Sequence, residues 1–175
     1  KLRSRWSESQ IYNHLGQVAL ARAEREATTN RRAALRKHLQ TAAGWLDQSI
    51  THSQEGKFPV SEGFARKDRA LVHLLENDLD RAREQIRLAA DLFCANQFAE
   101  GSAKTQVVEG MILRCQGHYP EAERRFRSAL LHFENTHETD EVIRTSWEIA
   151  RTLRDAGAAA PLVRRAYLEA LQKAE

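Results

Sequence analysis

The residues most suited to chemistry lie in one stretch near the C-terminus, where three arginines and a tryptophan recur at helical spacing. They stand at positions i, i+3, i+7 and i+10 of one segment, as Arg144, Trp147, Arg151 and Arg154. This spacing places them on a single stripe of a helix, which we call the basic stripe. Arginine forks pair with carboxylates, and arginine and tryptophan are enriched at binding hot spots. The stripe therefore predicts a surface for an acidic protein segment, although long arginine side chains also simply solvate helix faces.

Motifs for catalysis are absent from the sequence, which contains no glycine-rich phosphate loop, no HExxH motif and no nucleophile elbow. Cys115 and His118 have a ligand-like spacing, but two ligands do not make a zinc site. His132 and His137 flank a predicted helix end, where a favourable charge explains them better than a metal does. We therefore expect a protein that is not an enzyme and that uses no metal and no cofactor.

A basic cluster around the junction of the first two predicted helices suggests nucleic acid as an alternative partner. Its members are Arg22, Arg25, Arg31, Arg32, Arg36 and Lys37. Glu24 and Glu26 interrupt the cluster, and no aromatic residues accompany it as a stacking platform. The formal net charge of the chain is only +3. Nucleic-acid association is therefore the weaker alternative to protein binding.

The composition is typical of a water-soluble helical domain. The chain has 175 residues, of which 42% are hydrophobic and 29% charged, and this length suffices for a core. No apolar run is long enough to span a membrane. The two cysteines, Cys94 and Cys115, are too few for a disulfide framework, so we expect a cytoplasmic setting and both side chains buried. Because the first residue is not methionine, we expect a piece of a longer protein.

Apolar residues recur at spacings of three and four along the chain, a pattern that predicts helices. Eight helices are expected, in four antiparallel hairpins that span about residues 7–52, 62–97, 103–136 and 139–174. The longest loop is predicted at residues 53–61, where Gly56 and Pro59 lie among polar neighbours. Shorter breaks are predicted at residues 28–30 and 99–102. The fold class is therefore all-α.

Equivalent residues recur every 40 positions, which indicates an internal repeat. Small residues occupy one such ladder, which consists of Ala70, Gly110 and Ala150. A second ladder consists of Ile86, Phe126 and Ala166, and a third, at the predicted turns, of Asn77, Gly117 and Gly157. Glycine tolerates the left-handed conformation that ends many helices, and Pro120 suits the first turn of a helix. The repeat therefore predicts hairpins of similar geometry.

The segment from Gly110 to Leu130 resembles a tetratricopeptide (TPR) repeat. It has a small residue in the first helix, a Gly-x-Tyr turn, and the pattern Ala-x-x-x-Phe-x-x-Ala-Leu in the second helix. The resemblance implies an α-solenoid in which the hairpins form a right-handed superhelix. The period of 40 residues exceeds the family's period of about 34. Stretched repeats of this kind are similar to those of bacterial signalling and transcription regulators, which implies a sensor or scaffold that binds a protein or peptide.

The TPR resemblance also implies which side chains line a peptide-binding concave face. The cationic, aromatic and methionine positions among them are Lys67, Lys104, Met111, Arg114, Arg144, Trp147, Arg151 and Arg154. The last predicted helix carries more apolar residues than one neighbouring helix can cover, namely Leu162, Val163, Tyr167, Leu168 and Leu171. Terminal repeats need either a polar outer face or a partner. We therefore expect this helix to self-associate or to dock on a further segment.

Overall fold

The computed structural model describes residues 2–28 and 31–173, and side chains from residue 4 onward. In these ranges the chain forms eight α-helices and no strand, which confirms the all-α prediction. The helices are α1 (Leu2–Thr28), α2 (Arg32–Gly56), α3 (Pro59–Leu75), α4 (Leu79–Ala95), α5 (Ala99–Cys115), α6 (Tyr119–Asn135), α7 (Thr139–Asp155) and α8 (Ala160–Gln172). None of them, within the described ranges, is long and apolar enough to cross a membrane. The predicted break at Thr29 and Asn30 lies outside the described residues.

Six helix ends share one turn, which recurs every 20 residues. The residue with positive φ at each turn is Lys57, Asn77, Gln97, Gly117, His137 or Gly157. Its N–H donates to the carbonyl three residues earlier, and the next N–H donates to the carbonyl five residues earlier, as at Gly117 and His118 (2.9 Å each). This hydrogen-bond pair defines a Schellman motif, which satisfies carbonyls at a helix end. The turn predicted at Gly117 is therefore confirmed, and it belongs to a series with half the predicted spacing.

The long loop predicted at residues 53–61 is wrong. Helix α2 continues to Gly56, and α3 begins at Pro59. Ser53 is buried and its hydroxyl lies 2.7 Å from that of Ser9 in α1, while its carbonyl accepts the N–H of Phe58. Lys57 adopts the left-handed turn, and a Cβ at Gly56 would meet the Phe58 ring at 2.2 Å. Ser9 and Ser53 thus contact each other between α1 and α2, and the absence of a side chain at Gly56 leaves space for the Phe58 ring.

The predicted separator at residues 99–102 is also displaced, because α5 already begins at Ala99. The true turn is centred on Gln97, whose φ is 53°. Sequence reasoning missed it because glutamine is not a turn residue. The two cysteines differ from the prediction as well, since Cys94 and Cys115 are both exposed. Each lies within the last two residues of its helix, where the periodic pattern no longer fixes the buried side.

The chain divides into two compact units, residues 1–101 and 102–175. In the first unit α1 packs on α2, α3 packs on α4, and α3 also contacts α1 and α2. Its apolar core includes Leu20, Leu39, Leu46 and Val72. A Cβ at Gly16 would lie 2.7 Å from the Leu46 side chain, so the absence of a side chain at Gly16 lets α1 and α2 approach closely.

The second unit holds Phe126 at the centre of its core. This side chain is 0% exposed and packs with Val107 of α5 and with Val142 and Ile149 of α7. A Cβ at Gly110 would come within 2.7 Å of the Phe126 ring, so the small residue lets α5 approach α6 closely. Phe126 is thus buried among α5, α6 and α7.

We predict that Phe126→Ala destabilises the chain by about 3–5 kcal/mol, because it removes a buried ring and leaves a cavity. Urea or guanidinium melts followed by circular dichroism give the free energy of unfolding. Leu131→Ala is the matched control, since Leu131 is 61% exposed on the same helix, and it should change stability by less than about 0.5 kcal/mol. Equal effects of the two substitutions would contradict the packing.

A second prediction concerns the turn at Gln97. A non-glycine residue with positive φ carries a steric cost of about 1–2 kcal/mol, so Gln97→Gly should raise the free energy of unfolding by about 0.5–1 kcal/mol. Gln40→Gly, at an exposed position inside α2, should instead lower it by about 1 kcal/mol. Thermal or denaturant melts of the pair give the sign of each effect. Destabilisation by both substitutions would contradict the turn geometry.

Candidate functional site

The basic stripe lies along α7 and faces away from the core. Arg144, Arg151 and Arg154 are exposed, and Trp147 is 37% exposed. The opposite side of the helix is buried, with Ile149 in the core cluster of the second unit and Leu153 packed against it. Helical periodicity thus separates the two sides as the sequence predicts. The stripe is available to solvent along about three turns of the helix.

The three arginines of the basic stripe differ in whether their guanidinium groups already pair with an acid. Arg151 donates to Glu148 at 2.9 Å, and Arg154 donates through Nε and Nη2 to Asp155 at 3.0 and 2.8 Å. The hydrogen bonds from Arg154 to Asp155 raise the pKa of the guanidinium further, so it stays charged. Among the described residues, Arg144 has no hydrogen-bond or ion-pair partner. It is therefore the stripe cation with the most unused binding capacity.

The three predicted groove residues of α5 are engaged with α7 or with the core. Arg114 is 9% exposed, and its guanidinium lies 3.0 Å from Glu148 and 3.8 Å from Asp155. Lys104 Nζ lies 3.8 Å from Glu138 and 3.6 Å from Glu141. Met111 packs against the apolar cluster. These side chains connect neighbouring helices of the same unit, and peptide binding by them stays a prediction.

The ion pair of Arg114 and Glu148 is nearly inaccessible to solvent, with both side chains 8% exposed. Glu148 Oε1 accepts from Arg151, whereas the short contact between Glu148 Oε2 and Arg114 lacks the alignment of a hydrogen bond. A buried carboxylate needs such cationic partners because desolvation penalises an isolated charge. Arg151 is thus both a member of the exposed stripe and a partner of a buried acid.

Lys67, the remaining predicted site residue, belongs to the first unit. Its Nζ lies 2.5 Å from Oδ1 of Asp68, and the Lys67 side chain is 15% exposed. Asp68 also accepts from Gln17 of α1 at 2.9 Å. Lys67 therefore takes part in a polar contact between α1 and α3. The other seven predicted residues all lie in the second unit.

The basic stripe adjoins an apolar groove formed with α8. The Trp147 and Tyr167 rings are 4.9 Å apart between centroids, at an angle of 56°. Beside them opens a groove of about 490 Å³, lined mainly by Arg154, Val163, Arg164, Tyr167 and Leu168. Leu168 is 49% exposed. We call this surface, made of the basic stripe together with Val163, Tyr167 and Leu168, the α7–α8 flank.

Geometrically, the site belongs to an all-α protein of stacked helical hairpins, with a cationic, partly aromatic surface on a helix pair. No protein-family model and no curated protein matches this sequence. Within the described residues no group of three or more His, Cys, Asp or Glu side chains is placed to hold a metal ion.

Sequence reasoning missed the buried acid of the site. Glu148 lies in the same segment as Trp147 and Arg151, but it belongs neither to the basic stripe nor to the apolar positions of that segment. Its signal was present, since Glu148 falls beside Thr145, Ile149 and Thr152 on the side that the structure buries. A carboxylate on a buried side indicates a cation on the facing helix. That cation is Arg114.

We predict that Arg114→Met lowers the free energy of unfolding by about 3 kcal/mol, because it leaves Glu148 buried with one fewer cationic partner. Adding Glu148→Met should recover much of the loss, and denaturant melts of the double-mutant cycle measure the coupling. Arg124→Met is the control, since Arg124 pairs with Glu121 in an exposed contact, and should cost less than about 0.5 kcal/mol. Additive effects of Arg114→Met and Glu148→Met would contradict the ion pair.

Proposed function

We propose that this chain is a non-enzymatic, TPR-like protein-interaction domain that binds an acidic protein segment on the basic stripe of α7. The observation that carries the proposal is Arg144, an exposed guanidinium without an acidic partner among the described residues, on the same stripe as Trp147, which is 37% exposed. A solvent-exposed indole beside cations is the combination enriched at binding hot spots. Burial of that indole by a partner would supply apolar contact, and Arg144 would supply a charge-assisted hydrogen bond.

The setting we propose is the cytoplasmic sensor or scaffold part of a bacterial regulator. The 40-residue repeat and the segment from Gly110 to Leu130 support it, because stretched TPR-like repeats resemble those of such regulators. The buried Phe126 and its close contact with Gly110 agree with the role that the resemblance gives these two positions. Binding experiments would identify the partner and its pathway.

A second candidate function is nucleic-acid association through the first unit. The cations of the cluster around the α1–α2 junction are all exposed, namely Arg22, Arg25, Arg31, Arg32, Arg36 and Lys37. Such a cluster would bind phosphates with a strong dependence on salt. This surface is separate in sequence from the basic stripe, so substitutions distinguish the two functions.

The test is binding of the whole chain to an array of acidic 15-residue peptides and, separately, to a generic DNA duplex. We expect a subset of peptides to bind, and Trp147→Ala and the double variant Arg144→Glu with Arg154→Glu to weaken them about tenfold or more. Trp6→Ala is the control, because Trp6 is 50% exposed in α1 and lies outside the stripe. Added salt should weaken the peptides as well.

Two results would contradict the proposed function. Peptide binding that is unchanged in the stripe variants would mean that the stripe only solvates α7. Binding of the duplex alone, lost on charge reversal of Arg32 and Arg36, would favour the nucleic-acid function instead.

A further inference from the structure

The α7–α8 flank has a counterpart inside the same unit, namely the surface of α5 and α6 on which α7 packs. Cations stand at matching positions, since Lys104 and Arg114 in α5 lie 40 residues before Arg144 and Arg154 in α7. The residues between them match in place, with Val107 preceding Trp147 by 40 residues. The turns that end α5 and α7 are also 40 residues apart, at Gly117 and Gly157. Helix α5 and helix α7 therefore present the same register.

In the counterpart, the cations are matched by carboxylates of the covering helix. Lys104 lies within 4 Å of two acids near the N-terminus of α7, and Arg114 pairs with two acids further along. The four acids stand at i, i+3, i+10 and i+17, as Glu138, Glu141, Glu148 and Asp155. On its adjacent side α7 places Val142, Ile149 and Leu153 against the apolar cluster that contains Phe126. An acidic, amphipathic helix is thus the ligand that this surface accepts.

The α7–α8 flank has the same kinds of residues as the surface of α5 and α6 that accepts α7. No helix of the described chain covers the flank. Among the described residues Arg144 has no acid beside it, Trp147 is 37% exposed, and Val163 and Tyr167 line the adjacent groove. Helix α8 begins at Ala160, 41 residues after Tyr119 begins α6, so the 40-residue ladder shifts by one residue there, and Tyr167 rather than Ala166 takes the place that Phe126 has in α6. The apolar part of the acceptor is therefore present as well.

We propose that the α7–α8 flank binds an amphipathic helix of a partner protein, with carboxylates at i, i+3 and i+10, seated as α7 is seated on α5 and α6. The carboxylates face Arg144 and Arg154, and the apolar side of the partner helix covers Trp147, Val163 and Tyr167. This inference rests on the protein-binding function proposed above and specifies the secondary structure and charge pattern of the partner.

Charge argues against a second copy of this chain as the occupant. A two-fold contact would place the same patch against itself, with Arg144, Arg151 and Arg154 facing their own equivalents. A head-to-tail contact through α1 would offer an exposed stripe of Ile11, Leu15 and Val18. This stripe runs from Glu8, which pairs with His52, to Arg22, and it lacks carboxylates at i, i+3 and i+10. An acidic partner helix satisfies the cations that both arrangements leave unmatched.

The experiment uses the whole chain and a fluorescently labelled peptide with the sequence of residues 138–155, in which its own arginines are replaced by glutamine. Fluorescence anisotropy measures binding, and a peptide with glutamine in place of Glu138, Glu141 and Glu148 is the control ligand. The protein variants are Arg144→Glu with Arg154→Glu and, as a matched charge control, Arg124→Glu with Arg127→Glu on the exposed side of α6. Circular dichroism melts check that each variant is folded.

We expect the acidic peptide to bind the parent chain and the α6 control alike, and to bind the stripe variant at least about tenfold more weakly. The control peptide should bind at least about tenfold more weakly to the parent. A peptide with lysine at the three acidic positions should regain affinity for the stripe variant. Failure of the acidic peptide to bind, or equal binding to the stripe variant, would overturn the inference.

The outcomes also separate this inference from the function on which it rests. If the array peptides bind through the stripe but the helical peptide does not, the helix assignment is wrong and the protein-binding function stands. If neither binds, both proposals fail. Sedimentation of the chain alone provides the remaining check, because a dimer that the stripe variant dissociates would replace the partner helix by a second copy.

Discussion

The structure depends on one recurrent constraint, which is a left-handed residue that ends a helix every 20 positions. Each of the five helices from α3 to α7 is 17 residues long, so each turn restarts the next helix at the same phase. Helix phase decides which side chains are buried, because side chains three and four apart share a face. The regular turns therefore keep small residues such as Gly110 opposite large ones such as Phe126.

The same regularity organises the charges of the second unit. Cations of α5 meet acids of α7, and the pair of Arg114 and Glu148 is withdrawn from solvent. Ion pairs that are buried add little to net stability, but they penalise any register in which one charge loses its partner. The contact between α5 and α7 is thereby specified by charge as well as by apolar packing. In the basic stripe, Arg144 and Arg154 stand 40 residues after Lys104 and Arg114, and among the described residues Arg144 has no acid beside it.

Much of the fold could be predicted from the sequence, because helical periodicity and the 40-residue ladders are local signals. The burial of Phe126 and the left-handed turn at Gly117 follow directly from residue type. The turns at Lys57 and Gln97 could not be placed in this way, since neither residue type favours positive φ. At Lys57, the buried Ser53 lies in the last turn of α2 and contacts Ser9 of α1, so polar residues that suggest a loop belong to the helix contact.

The sequence predicted where the site lies, but not which of its side chains form ion pairs with each other. Spacing placed Arg144, Arg151 and Arg154 on one exposed side, as the structure has them. It could not show that Arg114 is buried against Glu148, because the helix that supplies the acid lies about 34 residues away along the chain. Which side chains of two helices meet depends on the relative rotation and offset of those helices. The residue spacing within one helix gives no information about either quantity.

The central claim is that the α7–α8 flank is an acceptor for an acidic helix. The most direct measurement is an NMR titration of the isotopically labelled chain with the acidic peptide of residues 138–155, monitored at backbone amides and at the Trp147 indole. We expect shifts concentrated in α7 and α8, with the Trp147 indole among the largest, and new helical signals in the bound peptide. Shifts centred on α1 and α2, or a peptide that stays unstructured when bound, would contradict it.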